Sequence, residues 1–439
     1  MTKEEKYNLA KWAMNYALEK GAQQASASIY NSKSSSVEVR DQKIDKLEQA
    51  IQSALSIRLF VDGRYSAHST SRLKKEELEH FIAEAIDGTR FLAEDKFRTL
   101  PDAELYYKGG GINLGSLDPD FDKVDPQEKI NLAFEAEKEV LGKDERIISV
   151  SAGYFDSLNE QVMVNSNGFE GDTSNSVFGV YSSVSVKGGD DARPEADWNE
   201  SAVKYSDLRK EGTGKIALEK ALNKIGQGKI KSGTMPMIVE NRQVGRIFGP
   251  LINALNGAQI QQKNSFLINK LGERVVSEKL TLTDDPFIVG GRGSRLFDGE
   301  GLATKKRTVF DKGVLKTYYI DTYYGKKLEM EPTSGSTTNL VIETGEKDLD
   351  GLVASVKKGI LVTGFNGGNS NGSTGDFSYG IDGFLIENGK IVQPVSEMNV
   401  TGNMKTLWSG IGEIGNDVNK NSSWLLPSIL FENVDFSGL

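Results

Sequence analysis

A helix signal followed by a run of strand signals, met twice in the first half of the chain, is the pattern that most limits the fold. Thr2 and Glu5 form a T-x-x-E capping box. Behind it Leu9, Trp12, Ala13, Tyr16 and Ala17 recur at helical spacing, and Gly21 sits where such a helix would end. Strand signals follow at residues 26–30, 36–41 and 53–61, and Asp62-Gly63 marks a tight hairpin into residues 64–69. A second helix is predicted over 74–93, with Leu78, Ile82, Ala85 and Ile86 inward. The pattern then recurs. Asp125-Pro126-Gln127-Glu128 sets a cap, a first-turn proline and an acid in order, ahead of Leu132, Ala133, Ala136 and Val140. Strands are predicted at 147–156, 161–165, 169–178 and 179–186, and a closing helix at 214–224. No residue-level repeat accompanies the recurrence, so a duplicated and an interleaved layout both fit it.

The last 200 residues or so read as β-rich. A short apolar strand at 236–240 precedes a helix predicted over 241–256. Asp311-Lys312-Gly313 and Glu387-Asn388-Gly389-Lys390 are hairpin turns, and 364–375 reads as a Gly/Asn/Ser loop. The expected class is α+β: N-terminal helix-plus-antiparallel-strand units and a β-rich C-terminal domain. The boundaries drawn are 1–97 for the first domain, 98–124 for a linker, 125–228 for the middle domain and 229–439 for the last.

Composition excludes several chemistries. The chain has no cysteine and two histidines, His68 and His80. Disulfides and thiol catalysis are ruled out, and two histidines twelve positions apart on different elements cannot make the i, i+4 pair of a helical zinc site. His80 is expected on the watery side of its helix, beside Glu76 and Glu84. A net charge of −9 repels phosphate, so direct nucleic-acid binding is disfavoured. No apolar run approaches membrane-spanning length and the N-terminus has no signal-peptide core, which points to a cytoplasmic protein.

Three motifs fail their own spacing. Asp118, Asp120 and Asp122 begin like a calcium loop, but Lys123 and Lys129 stand where glycine and glutamate belong. Gly410, Gly412 and Gly415 spell G-x-G-x-x-G, yet a helix-like stretch precedes them and a polar turn follows. The glycine-rich loop lacks Gly-Lys-Ser/Thr and is no phosphate loop, although it could border a cleft. Asp376, Tyr379, Asp382 and Glu387 follow it. Of these, Asp376, Tyr379 and Glu387 are the candidate cleft or peptide-binding residues, and the carboxylates are candidates for acid–base work.

From Met237 onward the sequence resembles the TldD/PmbA family. The resemblance is carried by Asn264-Ser265-Phe266-Leu267, Phe297-Asp298-Gly299-Glu300-Gly301, Gly375-Asp376-Phe377-Ser378-Tyr379-Gly380, Pro394-Val395-Ser396-Glu397, Gly402-Asn403 and Ile414-Gly415-Asn416-Asp417. It extends over nearly the whole chain and is strongest to the PmbA (TldE) branch. The family is described as modulators of DNA gyrase and as a two-subunit metalloprotease. Its catalytic branch has H-E-x-x-x-H on the helix opening this domain, with a later cysteine. The corresponding positions here are Asn241, Arg242 and Arg246, and two arginines are hostile to a dication. The resemblance therefore implies no catalytic and no metal-binding residue in this chain, and zinc in a TldD-like catalytic partner. It implies a dimeric, non-catalytic subunit of a cytoplasmic complex that processes small, poorly folded peptides, with a homodimer as an option when the partner is absent. Two other readings stand beside it: a regulatory protein acting on DNA gyrase or a toxin–antitoxin system, and an independent peptidase using carboxylates near 376–387.

Overall fold

The two helix-plus-strand segments build one sheet. The structure, a computed structural model, describes residues 1–189 and 191–439. Its first part comprises α1 (Lys3–Glu19), β1 (Gln24–Arg40), β2 (Lys43–Val61), β3 (Arg64–Thr70), α2 (Lys75–Thr89), α3 (Pro126–Lys138), β4 (Ile147–Asn165), β5 (Glu170–Val186), β6 (Glu195–Ala202) and α4 (Thr213–Asn223). The strands lie in the order β3-β2-β1-β4-β5-β6, every pair antiparallel, and the β1–β4 ladder joins the two segments.

The strands are longer than the sequence suggested. Residues 26–30 and 36–41, expected as two strands, belong to β1; β4 and β5 likewise each absorb two predicted strands. The serine-rich middle of β1 hides the continuity because it lies between two helix-covered ends. Ala25, Ala27 and Ile29 pack under α1, whereas Val37 and Val39 pack under α3. β4 obeys the same period of two, with Val162 and Val164 under α1, and Ala152 and Tyr154 under α3. The helices thus share one face. Beneath α3, Lys129 and Asp156 form a buried ion pair at 2.5 Å, and Asp156 also accepts from the Ser35 amide and the Tyr154 hydroxyl. α2 ends at Thr89, short of the predicted residue 93; the Thr89 hydroxyl turns back onto the Ala85 carbonyl.

The remaining elements are β7 (Gly233–Val239), α5 (Val244–Asn253), α6 (Gly257–Gln261), β8 (Leu282–Asp285), β9 (Arg307–Asp311), β10 (Val314–Leu315), α7 (Thr322–Leu328), β11 (Asn339–Ile342), α8 (Leu349–Ser355), β12 (Lys358–Ser370), β13 (Asp376–Glu387), β14 (Lys390–Asn403), α9 (Met404–Ser409), β15 (Ile411–Ile414), β16 (Trp424–Leu425) and β17 (Ile429–Ser437). One sheet runs β10-β9-β8-β11-β16. In the other, β14-β13-β12-β7-β17-β15, an additional β14–β17 pairing at Asn399–Thr401 closes five strands into a small barrel. The fold is α+β, as expected. Trp408, fully buried, packs edge-on against Phe248 of α5 and Phe431 of β17, fixing the helix on the barrel. No helix among the described residues is long and apolar enough to cross a membrane.

The opposite face of the first sheet meets this second part through aromatic rings. Phe169 and Phe297 stand 5.0 Å apart, with Tyr106 and Tyr107 beside them. Gly301, at φ +89°, lies against Phe169, and a Cβ there would come within 2.7 Å of the ring. The Phe297–Gly301 motif is therefore a seam: Asp298 caps its turn by accepting from the Glu300 and Leu302 amides, and Glu300 accepts from the Thr322 amide and hydroxyl.

Candidate functional site

The helix predicted over 241–256 begins only at Val244. The Glu240 amide still donates to Val362 of β12, and Glu240 accepts from the amides of Gln243 and Val244. Residues 241–243 are thus a turn between β7 and α5. The Asn241 amide donates to Ser428 Oγ at 2.9 Å, and its side chain donates to the Asp417 carbonyl and carboxylate. Ser428 in turn donates to Asp417 at 2.6 Å. Asn241 is spent on holding this turn.

Arg242 points the other way, into the seam with β6. Its guanidinium lies 3.5 Å from the centre of the Trp198 ring, donates to the Asn199 carbonyl at 3.0 Å and reaches Glu200 at 3.3 Å. Glu200 also accepts from Trp198 Nε1 and from Asn421. Burial pushes the Arg242 pKa down, with Glu200 pulling it back. Close by, Lys220 and Glu240 pair at 2.8 Å. Arg242, Trp198, Asn199, Asn421, Lys220 and Glu240 line a cleft of 540 Å³ between β6, α4 and the barrel.

Arg246, on α5, donates to the Gly368 carbonyl at 2.8 Å and stacks on the Tyr379 ring at 4.7 Å. Tyr379 is buried beneath it. Pro250 lacks the amide that would bond the Arg246 carbonyl, so α5 is relaxed at this point. The loop expected at 364–375 is mostly strand. β12 runs to Ser370 with bulges after Val362 and Asn366, and only 371–375 turn. Gly368, at φ +75°, is where a Cβ would strike the Ser378 carbonyl, which is why glycine stands at that position.

Among the residues singled out from the sequence, Arg246 and Tyr379 come together. Asp376 does not join them: at the first position of β13 it is held by Asn403 and Thr374, which lower its pKa. Glu387 stands at the far end of β13, roughly 35 Å from Asp376 along the strand, so the two cannot work as one acid–base pair. His80 is exposed and meets Glu84, whereas His68 bonds Ser66. Asp118 accepts from the Tyr205 and Asp120 amides, making it a brace for the linker. Sequence reasoning missed Trp198, Glu200 and Asn421. The only signal for them was one tryptophan next to an acid on a polar strand.

The donor set does not fit zinc. Asn241, Arg242 and Arg246 offer one amide and two cations, each already bonded elsewhere. Among the described residues no three His, Cys, Asp or Glu side chains gather as a metal site.

The comparisons give this geometry its class. Residues 25–88, 119–225 and 232–438 match domain 1, the central domain and the C-terminal domain of PmbA/TldA metallopeptidases. The chain is thus metallopeptidase-like. It belongs to the PmbA/TldD family. It is 29% identical over 413 residues to metalloprotease PmbA of Escherichia coli O157:H7, covering 92% of this chain and 90% of the relative. A PmbA homologue of Buchnera aphidicola subsp. Baizongia pistaciae is 30% identical, over 82% and 81%. A solved structure from Bacteroides thetaiotaomicron, named as a proposed modulator of DNA gyrase, superposes with a TM-score of 0.98 at 52% identity over all of both chains. TldE of Thermococcus kodakarensis shares the fold, with a TM-score of 0.87 at 21% identity over 98% of this chain and all of that one.

Proposed function

We propose that this chain is a catalytically silent, PmbA/TldE-type subunit of a cytoplasmic metallopeptidase. A TldD-like partner holds the zinc, and the assembly processes small, poorly folded peptides. The observation that carries this reading is the state of Asn241, Arg242 and Arg246. By the resemblance they stand in for the metal motif of the family's catalytic branch, and each is committed to protein contacts, so binding a dication there would break the Arg242–Glu200 pair and the Arg246–Gly368 bond together. The chain supplies a wall of the peptide chamber and a dimer face rather than a reacting group.

The test is zinc content and peptidase activity of the purified chain, alone and co-purified with a TldD-like chain. Zinc and activity are expected only in the pair. Stoichiometric zinc with cleavage by the lone chain would overturn the reading. A second reading, regulation of DNA gyrase, is favoured by the name of the relative at 52% identity. Capture of purified gyrase by the lone chain would support it, and with a net charge of −9 the contact would be to protein rather than DNA.

A further inference from the structure

A second cavity, of 940 Å³, lies between β5, residues 112–119 and residues 291–299. It shares no lining residue with the Arg242 cleft. Its size is at the upper end of ligand sites, about 300–1,000 Å³, and well beyond a single phosphate. Two arginines, Arg292 and Arg295, line it. Arg292 donates to Ser201 Oγ at 2.7 Å and, among the described residues, has no carboxylate within 4.0 Å. Burial lowers its pKa and no neighbouring charge offsets this. Arg295 gives one nitrogen to the Ser336 and Thr337 carbonyls, and its Nε is buried with no partner. The cavity's acids are occupied: Asp172 holds Lys3 and Tyr7, and Asp298 caps its own turn.

A desolvated guanidinium without an anion is costly, and its planar fork suits a carboxylate. One wall adds a second requirement. β6 pairs with β5 only from Phe178 to Ser185, so, among the described residues, 172–177 form an edge without a partner strand on this side. The Ser176 amide on that edge bonds the Ser116 carbonyl. With a period of two, the amides of Ser174 and Asp172 face the same open side. An extended main chain is what such an edge accepts.

We propose that this cavity binds the C-terminal end of a short extended peptide, with Arg292 on the terminal carboxylate and the β5 edge on the backbone. The site does not depend on the silent-subunit reading, because it uses neither zinc nor the Arg242 cleft.

The test is fluorescence anisotropy of N-terminally labelled tetra-alanine on the purified full chain, against the same peptide as its C-terminal amide, with inorganic phosphate as competitor. Saturable binding of the acid is expected. Amidation and Arg292→Gln should each weaken it by about tenfold or more, the scale of a lost charge-assisted bond. Equal binding of acid and amide, no saturable binding, or displacement by phosphate with no sensitivity to amidation overturns the proposal. If Arg292→Gln fails to fold, the acid–amide comparison on the wild-type chain still decides.

Discussion

Arg242 and Arg292 reach adjacent residues of the same strand and meet opposite fates. Arg242 finds Glu200, the Asn199 carbonyl and the Trp198 ring. Among the described residues Arg292 finds only the Ser201 hydroxyl. The first is a brace between the first sheet and the barrel; the second is a charge with a cavity in front of it. A basic side chain in a seam marks a ligand only where the protein has left it unanswered.

The comparison breaks most sharply at Glu200. Both members of its pair are mostly buried, with 14% and 17% of their side chains exposed. Glu200→Ala strands Arg242, and an unfolding free energy lower by about 3–5 kcal/mol is expected from chemical denaturation. A loss below about 1 kcal/mol would mean that Trp198 and Asn199 suffice.

Glu300 is the acidic counterpart of Arg292. Burial raises its pKa from 4.5 to about 6, with Asp298 and Asp321 adding repulsion. Its folded value lies above its unfolded one, so its contribution is complete below about pH 4.5 and is lost as pH rises through about 6, by roughly 2 kcal/mol. Glu300→Gln should therefore gain stability relative to wild type between pH 4.5 and 7.5. A difference that does not change across that window removes the buried-acid account.

Arg292→Gln is expected to leave stability within about 1 kcal/mol of wild type or slightly higher, because it relieves an unpaired charge. A loss like that of Glu200→Ala would make Arg292 a second brace. The smallest effect is expected at β13. Asp376→Asn and Glu387→Ala should each leave any peptidase activity of the proposed two-chain complex within about twofold, since Asp376 and Glu387 are too far apart to act as a pair. A fall of a hundredfold would restore the carboxylates as candidates.

Much of the class was legible in the sequence. The capping box at Thr2, the Asp62-Gly63 hairpin and the Asp125-Pro126 cap all stand where local chemistry put them. What escaped depends on partners distant in sequence. The unity of β1 was hidden because Ser32–Ser36 needs no apolar face when strands flank it on both sides. The late start of α5 follows from Asp417 and Ser428 gripping Asn241 across more than 170 residues. Arg292 and Arg295 sit in Gly-Gly-Arg-Gly-Ser-Arg, but nothing local says that Glu200 has gone to Arg242 and not to them. Seam positions are set by competition between cations for one acid, and that competition is decided only in the folded molecule.

The β1–β4 ladder also sets the order of events during synthesis. Every residue pair in it is more than a hundred positions apart, from Ser26 with Asn165 to Val39 with Ala152. At about 5–20 residues per second, the first hairpin leaves the ribosome on the order of ten seconds before its partner strand exists. For that interval β1 offers a long open edge, and a nascent chain stalled near residue 140 is the form of this protein most exposed to mispairing and to chaperone capture.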